Sequence, residues 1–273
     1  MKNITINLEK TIDNLRPKYE KFLSNLIRIP SPRGKESEAQ NLVRKNMEAL
    51  GLEIAEIYSR CDKESINLCG VVEGTERNTH RSLVLNAHCD VTPVDAPETW
   101  SHPPYSGKIE DGLIFGRGSV DDKAGIAVIL SVAEAIKEQG FCLKGDLLIQ
   151  SVIDDETSGY GSRALVDAGF NGDGVIICDG TWPWRIIHAH LGQLFINVRI
   201  KGEPVAACVE SKGCNPIYIA LEFITKLRKL FEQFNKNHPN FESIQNPFFC
   251  NVGSLHSGEW HGSVPAYAEL KIQ

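Results

Sequence analysis

The chain has 273 residues, 42% hydrophobic and 23% charged, with a formal net charge of −6 and a pI near 5.8. That length suits two domains and the composition is that of an ordinary soluble globular protein. No lysine or arginine run breaks the acidic balance, which excludes the basic stripe of a nucleic-acid footprint.

From Leu8 to Ile29, apolar residues recur at helical spacing (Leu15, Tyr19, Phe22, Leu23, Leu26) until the PSP run at Pro30–Pro32 stops the pattern. A second amphipathic helix fits Glu36–Leu50, closed by Gly51 where a left-handed cap is cheapest. Short apolar runs follow at Leu52–Ile57, Ile66–Val72, Leu83–Ala87, Leu147–Ile153 and Val175–Cys178. The run LVLNA lacks polar alternation, as a strand covered on both faces does. A helix over Lys123–Gln139, ended by Gly140, lies between two of these strands. Strands alternating with helices predict an α/β domain with a largely parallel sheet.

Beyond about residue 192 the pattern changes to a strand at Leu194–Ile200, a long amphipathic helix at Pro216–Phe234, and strands at Phe248–Leu255 and Val264–Ile272. This β-α-β-β order predicts a small α+β domain with an antiparallel sheet. A split β-α-β-β-α-β unit wants one more helix and strand, so the pattern reads as incomplete at Gln273.

Eight cysteines, at 61, 69, 89, 142, 178, 208, 214 and 250, are scattered without a C-x-x-C pair. They read as reduced, mostly buried thiols of a cytoplasmic protein. The N-terminus has no long apolar run of a signal peptide. The stretch from Ala124 to Ile136 is too short to span a membrane and contains Glu134.

Four features can carry chemistry. In NAHCDV, Asn86–Val91, His88 and Asp90 are two residues apart on a strand and face together, while Cys89 faces away. That suits a metal-binding imidazole held by a carboxylate on its second nitrogen and does not suit a cysteine–histidine nucleophile. The plain alternative is a buried, satisfied histidine followed by a capping aspartate. In GRGSVDDKAG, Asp121 and Asp122 open a helix, either as adjacent acids awaiting a cation or as an N-cap at Asp121 followed by a solvated Asp122. In VIDDETSGYG, Asp154, Asp155 and Glu156 follow a buried strand, and Asp179 in IICDGT ends the next one. Each alone reads as a solvated loop acid. Together, His88, Asp121, Glu156 and Asp179 gather oxygen and imidazole ligands at the carboxyl edge of one sheet, as a pair of divalent ions requires. No G-x-S-x-G elbow offers a serine nucleophile instead.

NAHCDV, WSHPPYSGKIEDGLIFGRGSVDDKAG and VIDDETSGYGS, flanked by LIRIPSPRGKESEA and NVGSLHSGEWHGSVPAYAEL, resemble the zinc hydrolase family of acetylornithine deacetylase, succinyl-diaminopimelate desuccinylase, aminoacylase and carboxypeptidase G. The resemblance implies an amide hydrolase acting on an N-acyl amino acid or small peptide. His88, Asp121 and Asp179 would hold one zinc ion, and Asp121 would bridge to a second held also by Glu156. Cobalt and manganese are alternative occupants, at one or two ions per chain. Asp90 would steady His88, and Asp155 would be the general base. The resemblance divides the chain into a metal-binding catalytic domain, 1–192, and a lid and dimerisation domain, 193–273, both incomplete. It implies a homodimer, with no nucleic-acid or membrane partner.

Three departures from the family pattern stand out. Asp155 replaces the usual glutamate and is one methylene shorter. The lid histidine expected four residues after Gly202 is Ala206. The histidine expected for the second ion falls beyond Gln273, and His188, His190, His256 and His261 offer no substitute. An alternative reading is therefore a degenerate member that keeps the fold and one metal site.

Overall fold

The computed structural model describes residues 2–59, 66–77, 79–180, 185–187, 189–237 and 246–273, with side chains from residue 7 onward. Cys61 and His188 lie outside the described residues. The chain divides into two compact units, Met1–Ile186 and Ile187–Gln273.

The first unit contains helix α1 (Lys2–Ile27), α2 (Ser37–Ala49), β1 (Glu53–Tyr58), β2 (Ile66–Val72), β3 (Leu83–His88), β4 (Lys108–Glu110), β5 (Leu113–Phe115), α3 (Lys123–Glu138), β6 (Leu147–Val152), α4 (Tyr160–Asp167) and β7 (Gly174–Ile177). Five strands form one sheet in the order β1-β2-β6-β3-β7. β3 pairs in parallel with both β6 and β7, whereas β2 is antiparallel to β1 and β6. β2 alone therefore runs against the other four, and the sheet is mainly parallel.

The two faces of the sheet bury different residues, as the period of two demands. Leu68, Leu85, Ala87, Leu147 and Ile149 face the large core built with α1, α2 and α3, including Leu26, Val43, Met47, Ile126 and Leu130. Cys69, Val84, Leu148 and Val152 face the other way, onto Leu165 of α4 and Phe170. The chain passes from β3 through α3 to β6, then through α4 across to β7 on the far side of β3. This reversal beside β3 is a topological switch point, where open α/β sheets leave a crevice at their carboxyl ends.

Local signals explain the boundaries. Gly51 at φ +65 follows α2, and Leu52 N–H donates to Met47 O, a left-handed helix stop. The hairpin β4–β5 and helix α4 are additional to the elements the sequence pattern predicts. Asp111 and Gly112 take φ of 51° and 77°, the paired left-handed turn that an Asp-Gly dipeptide favours in a two-residue hairpin.

The second unit contains β8 (Ile196–Lys201), α5 (Pro216–Lys236), β9 (Val252–Ser257) and β10 (Tyr267–Ile272), with an antiparallel sheet in the order β8-β10-β9. Alternate residues Ala268, Leu270 and Ile272 of β10 pack with Ala220, Phe223 and Leu227 of α5. The strand expected from Phe248 begins only at Val252, because the Asn235 side chain binds both backbone groups of Phe248.

Candidate metal centre

β3 delivers His88 to the carboxyl edge at the centre of its parallel neighbours. Its imidazole is 3% exposed. Nδ1 lies 3.0 Å from the Asp90 backbone oxygen and 3.4 Å from Asp90 Oδ1. Nε2 points the other way, 2.9 Å from Asp121 Oδ1 and 3.9 Å from Asp155 Oδ2. One nitrogen is thus fixed by Asp90, and the other is turned toward carboxylates from two further loops. Such an arrangement fixes the tautomer that leaves Nε2 for a cation.

Asp90 is fully buried and does more than hold His88. Its Oδ1 accepts from the Asp155 backbone N–H at 3.2 Å, and its Oδ2 from the Glu156 N–H at 3.1 Å. The loop after β6 is therefore anchored to the end of β3. Asp154 is also buried and pairs with Arg33 at 2.9 Å, which holds the start of the same loop.

The cap of α3 is Asp122, not Asp121. Asp122 Oδ1 accepts from Gly125 N–H and its Oδ2 from His88 N–H, both at 3.1 Å, and the residue is fully buried. Asp121 is the solvated member of the pair, with its side chain 54% exposed. A ligand atom from each of His88, Asp122 and Asp179 falls within 4.8 Å of the others. These residues come from β3, the cap of α3 and the segment after β7. Asp122 spends both oxygens on backbone donors, whereas Asp121 approaches Nε2 of His88 directly; Asp121 is the less committed carboxylate.

Electrostatics across the cluster all point one way. Burial and the nearby Asp179 and Asp121 charges push Asp122 up to about 8, against the pull of His88. Burial and the Asp121 carboxylate push Glu156 up to about 7. Burial raises Asp155 and Asp179 as well, reinforced by neighbouring acids. Burial alone would lower His88, but Asp121 and Asp90 beside it raise it to about 11. Carboxylates crowded and partly desolvated in this way want a positive charge among them. The donor set of imidazole and carboxylate oxygens fits a divalent zinc-like ion.

Cys89 is fully buried and its thiol is pushed well up by burial, so it is no nucleophile. The seven described cysteines are free, with Cys142 and Cys208 exposed rather than buried. No helix among the described residues is long and apolar enough to cross a membrane. Ala206 takes extended backbone before a short 3-10 turn and pairs with Ser263.

Residues 84–255 match the family described as Peptidase family M20/M25/M40, a stretch that contains every element of the cluster. The chain belongs to that family. Its members act hydrolytically on amide or peptide bonds. Among curated relatives, the N-formyl-4-amino-5-aminomethyl-2-methylpyrimidine deformylase of Halalkalibacterium halodurans is 33% identical over 153 residues, 55% of this chain and 35% of that protein. A probable succinyl-diaminopimelate desuccinylase of Staphylococcus aureus is 28% identical over 172 residues, 62% of this chain and 42% of the relative. The chain thus spans less than half the length of these relatives. A solved dipeptidase of Saccharomyces cerevisiae shares the fold with a TM-score of 0.72 at 14% identity, covering 98% of this chain and 71% of that one.

Proposed function

We propose that this chain carries the catalytic centre of a metal-dependent hydrolase that cleaves an amide bond in an N-acyl amino acid or small peptide. The observation that carries the reading is the carboxylate cluster about Nε2 of His88 at the switch point of a mainly parallel sheet. His88, Asp121 and Asp179 would hold one zinc-like ion, and Asp121 with Glu156 would contribute to a second. Such ions would polarise the scissile carbonyl and acidify the attacking water. Asp155 would take the proton of the attacking water and pass it to the leaving nitrogen, a role its raised pKa supports. Asp90 holds the imidazole and the Asp155–Glu156 peptide together, so base and ligand keep a common reference. Residues 1–192 would form the catalytic domain and 193–273 the lid, through which the chain would pair as a cytoplasmic homodimer.

Ala206 favours a second reading, a member that keeps the fold and one metal site with little turnover, because the resemblance expects a histidine there. One experiment separates the two. Metal content is measured by elemental analysis beside hydrolysis of N-acetyl and N-succinyl amino acids and dipeptides. Bound zinc with measurable release of free amine supports the hydrolase. Bound zinc without hydrolysis of any of them supports the second reading, and absence of divalent metal rejects both.

A further inference from the structure

Lys123 is the first residue of α3 and is fully buried. Both facts run against its charge. Burial of an ammonium is unfavourable, and here it lowers the lysine to about 8. The N-terminal turn of a helix is also the wrong end for a cation. Neither the stability of α3 nor the filling of its volume accounts for a lysine; a methionine would serve both.

What the ammonium does is reach across to α1. Nζ donates to Leu26 O at 2.9 Å and to Ile29 O at 2.7 Å, backbone groups at the end of α1 and just beyond it. The carbonyls of a helix's last turn lack intrahelical partners and favour a cation. Along its length the stem packs on Gly118: a Cβ there would stand 3.1 Å from the lysine Cδ and 2.8 Å from a Val91 methyl. The segment that Lys123 holds continues to Ser31, whose hydroxyl donates to Cys89 O at 2.7 Å and whose own carbonyl accepts from Val91 N–H at 3.1 Å. Cys89 and Val91 flank Asp90 and follow His88. One stretch, Leu26–Ser31, is therefore tied by side-chain bonds both to the Asp121–Asp122 turn and to the end of β3.

We infer that Lys123 is a positioning residue that, with Ser31, sets the spacing between Asp121 and His88 through the Leu26–Ser31 segment. This rests on the metal-binding reading of the cluster. Removing the ammonium leaves the ligands and the direct His88 N–H to Asp122 bond in place but loosens the turn that carries Asp121 from the Leu26–Ser31 segment. Loss of a group hydrogen-bonded directly to a metal ligand lowers affinity by ~10- to 100-fold, and Lys123, one step further out, is expected at the lower end of that range.

The test uses metal-free protein titrated with zinc by calorimetry, and the absorption spectrum of the cobalt-loaded form. Lys123→Met is compared with Ile129→Val, a buried change on the same helix that weakens packing without touching the network. Both variants are expected to melt lower. Only Lys123→Met should lose zinc affinity by ~10-fold or more and alter the cobalt spectrum. Should Lys123→Met fail to fold, Ser31→Ala removes the hydroxyl bond to Cys89 O, leaving the backbone bond from Val91 N–H, and should weaken zinc binding in the same direction. Unchanged zinc affinity and cobalt spectrum in a folded Lys123→Met, or in Ser31→Ala where that variant has to decide, overturn the inference and leave the metal reading intact. Absence of zinc binding by the unaltered protein overturns the metal reading itself, and the inference with it.

Discussion

Asp90 is the residue on which the two halves of the centre meet. Its carboxylate faces Nδ1 of His88 and accepts the N–H groups of Asp155 and Glu156. Asp90→Asn keeps the size but replaces one accepting oxygen with a donor that opposes a backbone N–H. Zinc affinity and turnover are both expected to fall, each by ~10- to 100-fold, in calorimetry and steady-state assays. Full retention of either would mean that the loop after β6 holds itself. Asp155 behaves differently, because its side chain is half-exposed and 3.9 Å from Nε2 of His88, while its backbone N–H is held by Asp90. Lengthening it in Asp155→Glu moves the carboxylate by about an ångström, a displacement that can change a rate by ~10²-fold. An increase in kcat with unaltered zinc affinity is expected. A lower kcat would show that the loop is already fitted to aspartate. That His88 and Asp90 face together was legible in the sequence, although β3 ends at His88 and Asp90 lies just beyond it. Which of two adjacent acids caps α3 was not, because Asp121 and Asp122 differ only in how the turn from Gly118 presents them. Lys123 was likewise invisible, since a lysine beside two acids at a helix start reads as a solvated side chain.

At the scale of elements, the N-terminus of α3 is closely packed. A methyl on Gly125 would meet Asp122 Oδ1 at 2.2 Å and the backbone oxygen of Cys178 at 2.6 Å. The helix cap, β7's exit and the cluster acids thus close on one Cα–H. Gly125→Ala, although alanine is the better helix former, is expected to destabilise the protein by about 1–3 kcal/mol, the range of overpacked cores. Denaturant titration reads the stability change, and zinc affinity should fall with it. A neutral or stabilising effect would show that the cap relaxes freely. The strands β2, β3, β6 and β7 and the helices α2, α3 and α5 were readable because each is an uninterrupted apolar or amphipathic run with a clear stop. The short pieces were not. Helix α4 spans only Tyr160–Asp167 and buries just Gly161 and Leu165, too little periodicity to register. β4 and β5 have three residues each, and only the Asp-Gly turn between them carried a signal. The direction of β2 was equally hidden, since an apolar run in a sheet core does not say which way it runs.

Across the whole molecule, the acid cluster couples folding to pH. Glu156 is raised from 4.5 to about 7, Asp122 from 3.8 to about 8, and His88 from 6.5 to about 11. All three shifts are upward, so these groups bind more protons in the folded, metal-free protein than in the unfolded chain between pH 5 and 8. They outweigh the lowered Lys123, which loses its proton only near the top of that window. Stability then falls as pH rises, because its slope follows protons bound unfolded minus folded. The contribution is fullest at the acid end of that window. Asp122 and Glu156 lose theirs as pH climbs through about 8 and about 7, and that of His88 persists toward about 11. A divalent ion replaces those protons, so it competes with them at pH 5 and meets deprotonated ligands at pH 8. Scanning calorimetry should therefore find the metal-free Tm lower at pH 8 than at pH 5. The increment in Tm produced by saturating zinc should be larger at pH 8, by the linkage of binding to folding. A zinc increment equal at the two pH values would mean that the ion binds away from His88 and its acids. A metal-free Tm that rises steadily across the window would mean that the cluster keeps its charge in the folded state without help.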